Sequence, residues 1–186
     1  ELWLSGYNIG TRVWDLAEPA DGPAAARVGA IAREAGLAIL YGYPERAGDA
    51  VYNAARLIGA DGAALANMRK AHLFGPEEKR LFAPGDTGLP VVDCAGLKLG
   101  IMICYDVEFP EAVRAQRLAG AELICVPTAL MQPHTFVARQ MIPVRAIENQ
   151  VFVAYANRCG TEGDLVYVGE SCLCAPDGGY LAQAGA

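Results

Sequence analysis

The sequence predicts an α/β sandwich with mixed sheets, and three observations carry that prediction. Strand hairpins alternate with helices along the chain, which requires antiparallel as well as parallel pairing. Helices spaced in this way let each sheet cover one of its faces. The 186 residues are 53% hydrophobic and 19% charged, enough to build one sizeable core and unlike a disordered chain. No linker, internal repeat or low-complexity segment interrupts residues 1–186, which read as a single domain.

The elements follow in order. PADGPAAARVGAIAREAG reads as a turn and helix, with Asp21 as N-cap, Pro23 in the first turn and Gly36 as the stop. LAILYGYPE is a strand. VYNAARLIGADGAALANMRKAH is a hairpin turning at Asp61-Gly62. PVVDCAGLKLGIMICYD is a second hairpin, turning at Ala95-Gly96. FPEAVRAQRLAG is a short helix ending at Gly120, and AELICVP is a buried strand. HTFVARQMIPVRAIENQ is helical, with Pro143 as a kink or start point. VFVAYANR is a strand, and VGESCLCAPDGGYLAQ is a hairpin turning through residues 176–179.

Composition excludes several functions. The net charge of −6, without a basic stripe, argues against a nucleic-acid partner. No apolar run reaches membrane-spanning length or carries signal-peptide flanks, so a cytoplasmic protein is expected. The six cysteines, Cys94, Cys104, Cys125, Cys159, Cys172 and Cys174, lie mostly in or beside strand-like runs and read as reduced thiols. Neither they nor His72 and His134 are spaced as a metal site, and no cofactor is expected.

Chemistry gathers around GIMICYDVEFPE. Leu99, Ile101 and Ile103 alternate toward a core, and Cys104 could merely continue them as a buried thiol. Its position at a strand's carboxyl end before a Pro110-led helix also suits a nucleophile, because helix N-terminal N–H groups favour a thiolate. A base is then required, and neither His72 nor His134 has a context that marks it as one, although spacing alone leaves a Cys-His pair open. Lys70 lies opposite Arg69 in strand alternation. If its face is interior, it needs an anionic partner or a role at an oxyanion. Glu77 and Glu78 could be a solvated helix start, and Glu111 a first-turn acid that complements the helix dipole. Glu1 heads an apolar run, either exposed at a terminus or at a strand's end.

These residues carry a resemblance. ELWLSGYNIG, RKAHLFGPEEKRLFAPG and GIMICYDVEFPE, in that order, are similar to the three signatures of the nitrilase superfamily of carbon–nitrogen hydrolases. RAIENQVFVAYANRCG resembles the segment that follows the nucleophile. The resemblance implies a four-layer α-β-β-α sandwich in a homodimer or higher homo-oligomer. It also implies a first strand-helix-strand and a C-terminal tail that this sequence lacks at its two ends. It places Glu1 as general base, Lys70 as catalytic lysine, Cys104 as nucleophile, Glu78 as a second, positioning glutamate and the Tyr105 N–H in the oxyanion hole.

Cys104-Tyr105-Asp106 resembles the amidase branch, so a small-molecule amide is the expected substrate. Carbamoyl-amino-acid hydrolases place arginines where this chain has Val107 and Glu108. An acid there favours a cationic or neutral substrate, such as an ω-amino amide, over an acidic one. Glu108 is equally well explained as an acid near a helix start. The rival expectations are an N-carbamoyl hydrolase, a Cys-His thiol hydrolase and a non-catalytic binding module.

Overall fold

The computed structural model describes residues 1–85, 88 and 90–185. In chain order the elements are α1 (Arg12–Leu16), α2 (Pro23–Ala35), β1 (Ile39–Ala47), β2 (Ala50–Ile58), β3 (Ala64–Arg69) and α3 (Gly75–Leu81). Next come β4 (Val91–Cys94), β5 (Leu97–Ile101), a 3₁₀ turn (Cys104–Glu108), α4 (Pro110–Leu118) and β6 (Leu123–Thr128). A π-helical turn (Val137–Met141) leads into α5 (Ile142–Asn149), followed by β7 (Phe152–Asn157), β8 (Cys159–Glu162), β9 (Leu165–Val168), β10 (Cys172–Cys174) and β11 (Tyr180–Gln183).

These elements stack in four layers. On the outside, α2 buries Val28 and Ala32, one helical turn apart, against Tyr41, Tyr43, Ala54 and Ile58 of the antiparallel sheet β1-β2-β3. The opposite face of that sheet presents Ala55, Leu57 and Met68 to Leu99 and Ile101 of the second sheet and to Ile103 just beyond it. The second sheet, ordered β11-β10-β7-β6-β5-β4, pairs β5, β6 and β7 in parallel and the rest antiparallel. Its far face buries Ile124, Val126 and Val153 against Val113, Ile142 and Ala146 of α4 and α5. The mixed, helix-covered sandwich matches the fold read from the sequence.

Local expectations fare unevenly. Gly36 ends α2 at φ +64°, and the Ala95-Gly96 turn closes β4 on β5 as expected. Asp21 does not cap α2, contrary to the sequence reading. The helix begins at Pro23 with Gly22 at the cap, and Glu18 Oε2 accepts the Ala24 N–H at 2.8 Å instead. Pro143 starts α5 and does not kink it, because the π turn already redirects the chain. The ribbon β8–β9 was not anticipated: β8 is short, polar and mostly exposed, and the four apolar residues of β9 are too few to show a period by themselves.

Candidate active site

The site forms where the two sheets meet, at one end of their shared core. On β2 and β3, residues Asn53, Ala55 and Leu57 and residues Ala66 and Met68 point inward by the two-residue period of a strand. Lys70 continues that period one step past β3, and its side chain is completely buried. The Glu1 segment reaches it by crossing β1, where Leu4 N–H donates to Gly42 O at 3.2 Å. Only glycine fits at that crossing: a Cβ on Gly42 would sit 2.6 Å from the Leu2 nitrogen.

Lys70 Nζ donates to Glu1 Oε1 at 2.5 Å and to Glu78 Oε1 at 2.7 Å, all three groups being buried. Asn53 Nδ2 adds a bond to Glu1 Oε1 at 2.6 Å, and the Tyr7 hydroxyl one to Glu78 Oε1 at 2.7 Å. Glu78 Oε2 accepts the Phe74 N–H at the head of α3 at 2.8 Å, so helix capping and lysine binding fix its carboxylate together. Its neighbour Glu77 points outward to Arg80. Glu1 Oε2 is buried without a hydrogen-bond donor among the described residues, which leaves it open to a proton.

Two carboxylates sharing one ammonium split their proton affinities. Burial pushes Glu1 up, but the Lys70 charge, the positive amino group of residue 1 and the Lys70 hydrogen bond together outweigh it and hold the carboxyl low, at about 2. Burial, reinforced by the Glu1 charge, raises Glu78 to about 7. Burial works against the Lys70 ammonium, yet the surrounding negative charge keeps it firmly protonated.

Cys104 begins the 3₁₀ turn at φ +47°, a left-handed conformation that costs a non-glycine residue about 1–3 kcal/mol. The strand ends at Ile101, and the strained turn swings the sulfur toward Glu1 and Lys70, whose charges both act on it. Burial pushes the thiol up to about 12; Glu1 adds to this, while Lys70, the Thr128 hydroxyl and the Ala129 N–H oppose it. The expectation that a helix N-terminus pre-forms a thiolate is therefore not met. The sulfur is a protonated thiol at neutral pH and requires a base.

Asp106, fully buried, binds the turn to the Lys70 loop. It accepts the Ile103 N–H at 3.1 Å, the His72 N–H at 2.9 Å and a bond with His72 Nδ1 at 2.8 Å. His72 is thus engaged by Asp106 and stacked on Phe109 at 3.9 Å. His134 packs edge-on against Phe74. The Tyr105 ring packs edge-on to Phe74 and Phe109, and its N–H donates to no acceptor among the described residues. Val107 is fully buried in the core against α4 and α5, so its side chain lies apart from the cluster. Glu108 is half-buried; burial raises its carboxyl, against the pull of His134, Lys70 and Arg145. A cavity of about 280 Å³ opens beside the cluster, lined by Tyr7, Phe74, Glu78, Met131, His134 and Asp164 among others.

Glu1, Lys70, Glu78 and Cys104 are therefore brought together from segments up to 103 residues apart, and Val107 is not. Sequence reasoning missed Asn53, Tyr7 and Gly42. A buried asparagine between apolar strand neighbours was the one available signal. The arrangement pairs a thiol with a carboxylate, a fixed ammonium and a free backbone donor, which is equipment for acyl transfer.

Comparison with known proteins agrees. The family profile described as carbon-nitrogen hydrolase matches residues 1–186. A Pseudomonas protegens protein named "Hydrolase in pqqF 5'region" is 56% identical over all of this chain and 66% of its own length. An (R)-stereoselective amidase of Pseudomonas sp. is 37% identical over 100% of this chain and 67% of its own. A cysteine-to-alanine mutant of the Nesterenkonia AN1 amidase superimposes with a TM-score of 0.83 at 42% identity, covering 87% of this chain and 62% of that one. The chain thus spans about two thirds of the length of these relatives.

Proposed function

The chain belongs to the carbon–nitrogen hydrolase family, and from that premise we propose that it is the core of an amidase that cleaves a small aliphatic amide through a thioester on Cys104. One observation carries the reading: a buried ammonium held by two carboxylates, with the Cys104 thiol beside them.

Glu1 Oε2 takes the thiol proton as Cys104 Sγ attacks the amide carbonyl. The negative charge that develops on oxygen meets the third N–H of Lys70 and the Tyr105 N–H. Glu1 returns its proton to the nitrogen, ammonia leaves, and an acyl thioester remains. Glu1 then deprotonates a water, which attacks the thioester and releases the acid and the thiol. Glu78 holds Lys70 in place throughout. Because Glu1 is held low and the thiol is pushed up, proton transfer and attack are concerted, so that no free thiolate has to form first.

The half-buried acid Glu108 supports a substrate with a distal amine, and the motif wording is especially similar to 5-aminopentanamidases. The second reading, an N-carbamoyl hydrolase, is favoured by a Solanum lycopersicum relative named N-carbamoylputrescine amidase, 36% identical over 88% of this chain. Ammonia release from 5-aminopentanamide, pentanamide, N-carbamoylputrescine and an N-carbamoyl amino acid distinguishes the readings. The ω-amino amide should lead, and preference for the carbamoyl amino acid rejects the proposal. Six free thiols support a reducing, cytoplasmic setting, and no helix among the described residues is long and apolar enough to cross a membrane. Exposed Leu118, Val144 and Ile147 on α4 and α5 support a homo-oligomer.

A further inference from the structure

The turn that carries Cys104 is tied down at both ends. At its start one last ladder bond to β6 and two side chains hold it. Gln116 Nε2 donates to Ile101 O at 2.7 Å, Met102 N–H donates to Cys125 O at 3.1 Å, and Asp106 accepts the Ile103 N–H. At its end a 3₁₀ turn leaves carbonyls that the next helix cannot satisfy, and these carry the negative end of the turn's dipole. One side chain meets them. Arg145 of α5 donates from Nε to Val107 O at 2.9 Å and from Nη2 to Glu108 O at 2.7 Å. Its Nη1 is held by Glu148 Oε1 at 2.9 Å, and the side chain is nearly buried.

We propose that Arg145 is a positioning residue for the nucleophile: its planar fork clamps the last two carbonyls of the Cys104 turn and so fixes where the sulfur stands relative to Glu1 and Lys70. The guanidinium suits this task because it spans two acceptors in a fixed geometry, whereas a lysine ammonium is a single point. The need is acute because Cys104 sits in a strained conformation that persists only while its surroundings over-determine it. Val107 serves the same end by packing, its buried side chain anchoring the turn in the core below Arg145.

This inference rests on Cys104 being the nucleophile, and its test is read on the thiol as well as on turnover. In the full-length protein, Arg145→Met keeps the apolar stem and removes the clamp. Its kcat should fall about 100-fold with KM within about threefold, the scale expected for misplacement by about 1 Å. Alkylation of Cys104 by iodoacetamide, followed by mass spectrometry across pH, should change in rate and in midpoint. A folded Arg145→Met protein with the wild-type alkylation profile overturns the proposal. If that variant does not fold, Arg145→Lys decides: one retained bond should leave kcat about tenfold down, and wild-type kcat with wild-type alkylation overturns the clamp. Should the wild-type protein hydrolyse no amide, the amidase reading fails, and the alkylation comparison still judges Arg145.

Discussion

At the end of β3 two cations stand side by side and part company. Arg69 turns to the outer face, where it forms a forked pair with Glu45 at 2.7 and 3.0 Å and lies over the Tyr52 ring at 4.0 Å. Lys70 turns inward between the sheets to Glu1 and Glu78. The same contrast recurs on α3, where Glu77 meets Arg80 in solvent and Glu78 meets Lys70 in the core. Charge and neighbourhood in sequence are shared, and full enclosure of the cation is not: the Arg69 side chain keeps 17% of its surface open, that of Lys70 none. The exposed Glu77–Arg80 pair is screened and worth little, the half-sheltered Arg69–Glu45 fork contributes to stability, and the sealed Lys70 cluster perturbs the proton affinity of its members. Chemistry is therefore available on one face only.

Substitution at the two cations tests this contrast most severely. Lys70→Met should lower kcat by at least ~10³-fold, since it removes an oxyanion donor and unbalances two carboxylates. Arg69→Met should leave kcat within a few-fold and cost about 1–3 kcal/mol of stability by leaving the buried Glu45 carboxylate with Asn67 Nδ2 and no cation. Steady-state ammonia release and urea melts separate the two, and equal kcat losses would erase the distinction.

The acids come next. Glu78, raised to about 7, is neutral below that pH and ionised above it. Its ionisation places a second negative charge beside Glu1 and strengthens Glu1 as a base, so kcat/KM should climb through about pH 7. In Glu78→Gln that limb should vanish and kcat fall about 100-fold, whereas Glu77→Gln should keep both. A wild-type profile flat from pH 5.5 to 8 would contradict the split.

Smaller effects probe the supports. Gly42→Ala pushes the Glu1 segment off β1, and a loss of about tenfold in kcat with little change in KM is expected. Tyr7→Phe removes a donor from the Glu78 carboxylate, which disfavours its charged form. The pH limb should move upward by a few tenths of a unit, with kcat reduced only a few-fold; a downward move would assign Tyr7 a different part.

Much of this was legible in the sequence. The β4–β5 hairpin, the Pro110-led helix and the glycine stop of α2 follow from local turn and capping chemistry. Strand alternation alone put Lys70 opposite Arg69, and the order of the three signatures singled out Glu1, Lys70 and Cys104. The Asp21 cap failed because a carboxylate from the preceding segment reached the helix first. The Val107 reading failed because position relative to Cys104 does not reveal which side of the sheet a turn residue enters.

The sequence by itself determined the periods, the breaks between them and the inventory of reactive side chains, because these depend on residues a few positions apart. Tertiary structure alone decided that Glu1, Asn53, Lys70 and Glu78 share one buried point, which of two carboxylates is held lower, and that Arg145 grips the Cys104 turn. Those outcomes depend on sheet register and on how two layers close over each other, and burial, which sets every proton affinity in the site, exists only once they have closed.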